Sequence, residues 1–452
     1  MNNIEELRKH ILESETFCFY PYTQISTNPS GHMKPCCYYG GTVNRDDFSE
    51  KGVYTIQEGD LFDDFWNSDS IKRIRKKVFS GELPEHCSIC KRDGQASMRV
   101  RSIREYKNNT RILNNVLDAV NNDFIMDIPP NYLELKPSNF CNLKCLMCCT
   151  YDSSQVAKEI VELSEKYTGI TVKNGRFIEI RNDPGIFENN AKVYKNGFEG
   201  QKDWTDNKDI WDNFERLVPY LEVVSFAGGE PTIMPSVMNA LNYMVDTGYS
   251  EKITIFLSSN FTNLNKNFFN LMPHFKKFEL IASIDGFDKV NDYARYPSKW
   301  SQVSTNYKKA KQYMDNSNIK ILTNITVNAL NVLNLTDLLY FIEKEAEVFP
   351  FFKEWPFNIN LLAGPEEQQV RMLPNHIKME AIQRLEKYLV DSKLLKEFSG
   401  LDSKIHLVIE ELLQPGDDTI FEIFKNRVKV LDEHREIYIG DYIPELKDVF
   451  TK

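Results

Sequence analysis

Six short apolar runs recur from about residue 130 onward: Tyr132 to Leu135, Leu221 to Ala227, Ile253 to Leu257, Phe278 to Ile284, Ile321 to Val327 and Phe357 to Leu362. Longer stretches of helical character lie between them. Short apolar strands alternating with helices can hide their faces only in a parallel sheet covered by those helices. The chain therefore reads as α/β. Six units are two short of a closed eight-fold barrel, so an open or partial (β/α)6 barrel over residues 130–365 is expected. In such sheets the chemistry gathers at the C-terminal ends of the strands.

The chain has 452 residues, room for two or three domains, and its 42% hydrophobic and 27% charged content is that of a folded globular protein. A formal charge of -10 disfavours a general nucleic-acid binder. The opening MNNIEELRKHILESETF is acidic where a signal peptide is apolar, and no stretch approaches ~18 uninterrupted apolar residues. A soluble cytoplasmic protein with no membrane partner is expected.

All nine cysteines fall in the first third, at positions 18, 36, 37, 87, 90, 141, 145, 148 and 149. In a reducing compartment such a cluster points to metal binding or catalysis rather than to disulfides. Cys141, Cys145 and Cys148 form C-x3-C-x2-C just after the first strand, a spacing with a random expectation of only about 0.004. A structural zinc asks for four ligands, whereas a cubane cluster held by three thiolates keeps one iron open to another molecule. Cys149 is set aside, because adjacent residues seldom aim both side chains at one centre.

Two further features follow the neighbouring strands. After the second comes Ala227-Gly228-Gly229-Glu230-Pro231, in which glycines admit close backbone approach and a carboxylate can pair with an ammonium. The later strands end in small polar residues, among them Ser283, Asp285 and Asn328. Turn chemistry alone accounts for each singly.

These residues together resemble the radical S-adenosylmethionine superfamily, whose fold is a partial (β/α)6 barrel. The resemblance implies that Cys141, Cys145 and Cys148 hold a [4Fe-4S] cluster whose open iron is chelated by the methionine part of S-adenosylmethionine. It implies reductive cleavage of that cofactor to a 5′-deoxyadenosyl radical, which takes hydrogen from a peptide, protein or small-metabolite substrate. A low-potential donor such as flavodoxin or ferredoxin would supply the electron. Gly228, Gly229, Glu230, Ser283, Asp285, Asn328 and Met147 are the implied cofactor contacts, Met147 standing where many members carry an aromatic residue.

In the first segment, Cys18, Gly31 and Cys36 form C-x12-G-x4-C, and Cys87 and Cys90 form C-x2-C. Four separated thiolates suffice for a zinc or cluster site. The pattern resembles the SPASM and twitch auxiliary-cluster modules. That resemblance implies a second iron–sulfur cluster on Cys18, Cys36, Cys87 and Cys90, which leaves Cys37 as the spare unless Cys36 and Cys37 exchange roles. Residues 1–107 are thus expected as a small N-terminal α+β iron–sulfur module and 108–129 as a linker. An insertion is expected at about 168–210, opening with a hairpin at Asn174-Gly175 that is either a lid or a surface excursion. Residues 366–452 read as a helical C-terminal extension.

A helix from Ser70 to Phe79 is expected to bury Ile71, Ile74 and Val78 and to expose Lys72, Arg73, Arg75, Lys76 and Lys77. Two other readings stand beside the radical enzyme: an iron–sulfur or zinc-stabilised electron-transfer or binding protein without turnover, and an RNA-modifying radical enzyme.

Overall fold

A computed structural model describes residues 3–45, 52–93, 97–167, 169–180, 203–315, 318–348, 356–397 and 400–451. The six expected strands all form: β3 (Tyr132–Leu135), β6 (Val223–Phe226), β7 (Thr254–Ser259), β8 (Lys277–Ser283), β9 (Ile319–Val327) and β10 (Phe357–Leu361). They lie side by side in chain order, each parallel to the next. Helices such as Pro235–Asp246, Trp300–Gln312 and Leu335–Val348 connect them. Among the described residues the sheet is open, since β10 is not paired with the opposite edge.

Periodicity within the strands separates two faces. In β9, Ile319, Ile321, Thr323, Ile325 and Val327 are buried, whereas Lys320, Leu322, Asn324 and Thr326 between them are half-buried. Successive side chains of a strand point to opposite faces, so the second set shares one face. Parallel register carries that face across the sheet: Glu134, Ser225, Phe256, Glu279 and Lys320 form one row, and Ser283, Asn324 and Asn358 another. One face is thus an apolar floor for the helices. The other is largely polar.

The first segment is not set apart from this sheet. Strand β1 (Gln24–Thr27) pairs in parallel with β3, and β2 (Met33–Lys34) returns antiparallel to it, giving the order β10-β9-β8-β7-β6-β3-β1-β2. Residues 108–129, expected as a linker, contain the helix Thr110–Asn121, which buries Ile112, Leu113, Val116 and Ala119. Within the expected insertion, β4 (Ile170–Lys173) and β5 (Arg176–Ile180) form a hairpin. Asn174 and Gly175 both take positive φ at its turn, the geometry that matches the twist of a two-residue hairpin. Residues 181–202 of that insertion lie outside the described residues. The C-terminal extension is helical, with its longest helices at Asn375–Asp391 and Asp418–Arg435.

The helix Asp69–Ser80 buries Ile71, Ile74 and Val78 as its pattern requires. Arg75 departs from the expected solvated face: it is fully buried. Its guanidinium donates to the Pro21, Trp66 and Phe124 carbonyls and to Asn67 Oδ1, at 2.7–3.0 Å, and lies over the Trp66 ring. A fork of five N–H groups is what four converging acceptors require. Arg75→Met strips those acceptors of their donor inside the fold and is expected to cost about 3 kcal/mol or more. Lys76→Met, at an exposed neighbour, should be near neutral; urea unfolding of the two variants checks the contrast.

Candidate iron–sulfur and cofactor site

The stretch from Cys141 to Cys148 leaves the C-terminal end of β3 as an irregular loop, so its backbone groups need partners that no ladder supplies. They find them in distant segments. The Lys144 and Leu146 amides donate to the Tyr296 and Ala294 carbonyls at 2.7 and 3.0 Å. The Lys144 carbonyl accepts from Arg435 at 2.9 Å, and the Leu146 carbonyl from Arg427 at 2.7 Å and Gln368 at 3.0 Å. The Met147 carbonyl accepts from Arg176 Nε at 3.1 Å. Ser153 and Ser154, at the start of the helix Ser154–Lys166, bond the Leu143 carbonyl and the Cys141 amide.

This bracing brings the three cysteines together. Cys141 and Cys145 are buried around Leu143, with the half-buried Cys148 packed on them. Burial pushes the Cys141 thiol up to about 12. Cys145 is held below the ordinary thiol range by its hydrogen bond with Cys148, aided by the Arg295 and Arg435 guanidiniums; Cys148 is raised in turn. Among the described residues, no three His, Cys, Asp or Glu side chains converge closely enough to ligate one metal ion. Three soft donors spread along one loop beside cationic side chains suit a larger anionic thiolate-bound cluster.

The glycine motif abuts the same loop. Gly229 has φ +46°, and a Cβ there would fall 2.2 Å from the Phe140 carbonyl oxygen, while the Glu230 amide donates to that oxygen at 2.8 Å. Only a glycine lets the two backbones approach this closely. Glu230 is buried, and burial raises its pKa. Its carboxylate accepts from the Thr232 amide and hydroxyl and from the Asn260 amide at 2.6 Å. Asn260 Nδ2 in turn donates to Asn142 Oδ1 within the cysteine loop at 2.9 Å. Glu230 therefore anchors the ends of β6 and β7 to the loop.

Asp285, beyond β8, is fully buried and ion-paired to Arg295 at 2.6 Å, with the Thr326 amide on its other oxygen. The Arg295 charge interacts electrostatically with Cys145 and Cys148. Ser283 ends β8 in register with Asn324 on the polar face. Asn328 is committed locally: its amide group donates to the Thr326 carbonyl and accepts from Leu330 N. Met147 is half-buried within the loop.

In the first segment, Gly31 (φ +76°) turns β1 into β2 and delivers the chain to Cys36. The Gly40 amide donates to the His86 carbonyl at 2.9 Å, and a Cβ at Gly41 would fall 2.6 Å from the His86 ring. That contact joins the two cysteine-bearing stretches. Cys18, Cys36, Cys87 and Cys90 line one recess, together with Met98 and Arg99. Burial pushes Cys18 up to about 11 and Cys87 up to about 12. Cys37 is not among the lining residues; its thiol faces the Glu134 carboxylate on β3. Gathering four thiols in one recess is what a cluster-binding segment requires.

Residues 18–91 match the SPASM iron–sulfur cluster-binding domain. The SPASM segment thus contains five of the nine cysteines. No curated protein matches the chain. Among solved structures, the chain is similar to SuiB of Streptococcus suis bound to S-adenosylmethionine, with 14% identity, TM-score 0.37, and coverage of 71% of this chain and 63% of that one. It is also similar to anSMEcpe with bound AdoMet, with 16% identity, TM-score 0.34, and coverage of 59% and 62%. A third is the radical S-adenosylmethionine methyltransferase TsrM of Kitasatospora setae, with 8% identity, TM-score 0.26, and coverage of 34% and 30%. The chain covers less than two thirds of the length of each.

Sequence reasoning did not single out Arg176, Arg295, Arg427, Arg435 or Gln368. One signal for two of them existed: Arg427 and Arg435 sit eight apart on the helix Asp418–Arg435, on the stripe that also holds Leu431. An arginine at a core position has a buried acceptor to reach. The close approach at Gly229 gives a direct test: Gly229→Ala is expected to cost about 3 kcal/mol. Gly81→Ala, with positive φ but nothing within 4 Å, should cost only about 1 kcal/mol. Denaturant midpoints of the two variants measure the difference.

Proposed function

We propose that this chain is a radical S-adenosylmethionine enzyme with one auxiliary cluster. The observation that carries the reading is the C-x3-C-x2-C loop at the C-terminal end of β3, backed by the Gly228–Glu230 turn leaving the adjacent β6. Cys141, Cys145 and Cys148 would hold a [4Fe-4S] cluster, and Cys18, Cys36, Cys87 and Cys90 the cluster of the SPASM segment. When bound, the first cluster supplies the electron that cleaves S-adenosylmethionine to a 5′-deoxyadenosyl radical able to take hydrogen from substrate.

The protein's own residues position and shield. Gly228 and Gly229 let backbone reach the cofactor side of the loop, and Glu230 fixes that turn through Thr232 and Asn260. Glu230, Ser283, Asp285, Asn328 and Met147 would complete the cofactor's surroundings. The polar row Ser283, Asn324 and Asn358 offers amide and hydroxyl groups to a peptide, protein or polar metabolite. A low-potential donor of the flavodoxin or ferredoxin kind completes the cycle. Arg295 keeps a cation near Cys145, favouring its thiolate form.

After anaerobic reconstitution the Cys141→Ala/Cys145→Ala/Cys148→Ala variant should hold about four fewer irons than the wild-type chain. With S-adenosylmethionine and a strong reductant, the wild type should release 5′-deoxyadenosine and the triple variant none. Wild-type protein that binds iron yet makes no 5′-deoxyadenosine would instead support an electron-transfer role. Deuterated candidate substrates that pass label into 5′-deoxyadenosine would identify whose hydrogen is taken.

A further inference from the structure

The C-terminal helix Asp418–Arg435 reaches the cysteine loop with two buried arginines. Arg427 donates to the Leu146 carbonyl and pairs with Glu367 at 3.2 Å. Arg435 donates to the Lys144 carbonyl and grips Glu159 through Nε and an Nη at 2.8 and 2.6 Å. Both side chains are at most 4% exposed. Lys144 and Leu146 flank Cys145, so each carbonyl next to that ligand is held by one arginine. On the opposite side the same two residues donate their amides to Tyr296 and Ala294. The segment Lys144–Leu146 is thus clamped between the chain beyond β8 and a helix nearly 300 residues later.

A second tie makes the clamp one unit. Tyr293 donates to Asp432 of the same helix at 2.6 Å, one residue from the Ala294 carbonyl that receives the Leu146 amide. The Arg435 guanidinium also lies over the Tyr296 ring at 5.0 Å. Buried guanidiniums are costly unless bonded, and here the bonds divide between carbonyls of the ligand loop and the carboxylates of Glu159 and Glu367.

We propose that Arg427 and Arg435 are positioning residues for the loop, and that their charge makes the group held by its thiolates easier to reduce. The proposal rests on reading the loop as a cluster site. A cluster on three thiolates gains a negative charge on reduction, so nearby buried cations favour the reduced state and buried carboxylates oppose it. Glu159, which offsets Arg435, then has the opposite effect.

The test is an EPR-monitored redox titration of the reconstituted full-length chain, the relevant signal being the one lost in Cys145→Ala. Arg427→Gln and Arg435→Gln should move its midpoint to more negative potential, and Glu159→Gln to more positive potential. Arg435→Lys should restore most of the wild-type value. Tyr293→Phe, which loosens the same helix contact without altering charge, should leave the midpoint where it is. Midpoints that do not move in the arginine and Glu159 variants, or that move alike in Arg435→Gln and Tyr293→Phe, overturn the proposal. If an arginine variant fails to load, Glu159→Gln decides alone: an unchanged midpoint overturns it. A wild-type chain with no Cys145-dependent signal overturns the cluster reading along with it.

Discussion

An irregular backbone inside a folded protein must find hydrogen-bond partners outside itself, and the cysteine loop is where this chain meets that demand most fully. The Lys144, Leu146 and Met147 carbonyls end on arginines and a glutamine drawn from the hairpin β4–β5, the segment before the C-terminal helices, and the helix Asp418–Arg435, while the Cys145 carbonyl accepts from the Cys148 amide. The Lys144 and Leu146 amides end on the chain beyond β8. The loop takes its shape from almost every part of the sheet and its extension, which is why the C-terminal helices belong to the site as much as the strands do.

The glycine turn meets the same loop from the other side by a different means. There the contact is backbone against backbone, Gly229 on Phe140, with Glu230 buried to hold the strand ends in place. A carboxylate so buried is costly unless its oxygens are satisfied, and those of Glu230 receive donors from Thr232 and Asn260. The loop is therefore gripped by cations on one flank and by a close-packed turn on the other. The thiols lie between.

The strands were legible because their signal is local: apolar runs of the right length, spaced by helices, name a parallel sheet without further help. The cysteine spacings were legible for the same reason. What could not be read was which distant side chain answers which buried carbonyl: the stripe that holds Leu431 marks Arg427 and Arg435 as inward-facing without naming their acceptors, and Arg295 carries no such mark. Arg75 is the same case in the first segment, a member of a basic run that turns inward to four acceptors. The choice between Cys36 and Cys37 was likewise open in sequence. The fold points the first into the recess and the second toward Glu134.

Strand β1 has a consequence for how this polypeptide can be divided. It occupies the flank of β3 opposite β6, so removal of residues 1–107 would leave β3 with a row of bare amides and carbonyls along an apolar strand. Such an edge is a template for unwanted pairing with other chains. The boundary between the two cysteine-bearing regions is thus a seam in sequence and not in structure, and a cut there opens the sheet of one region by taking a strand into the other.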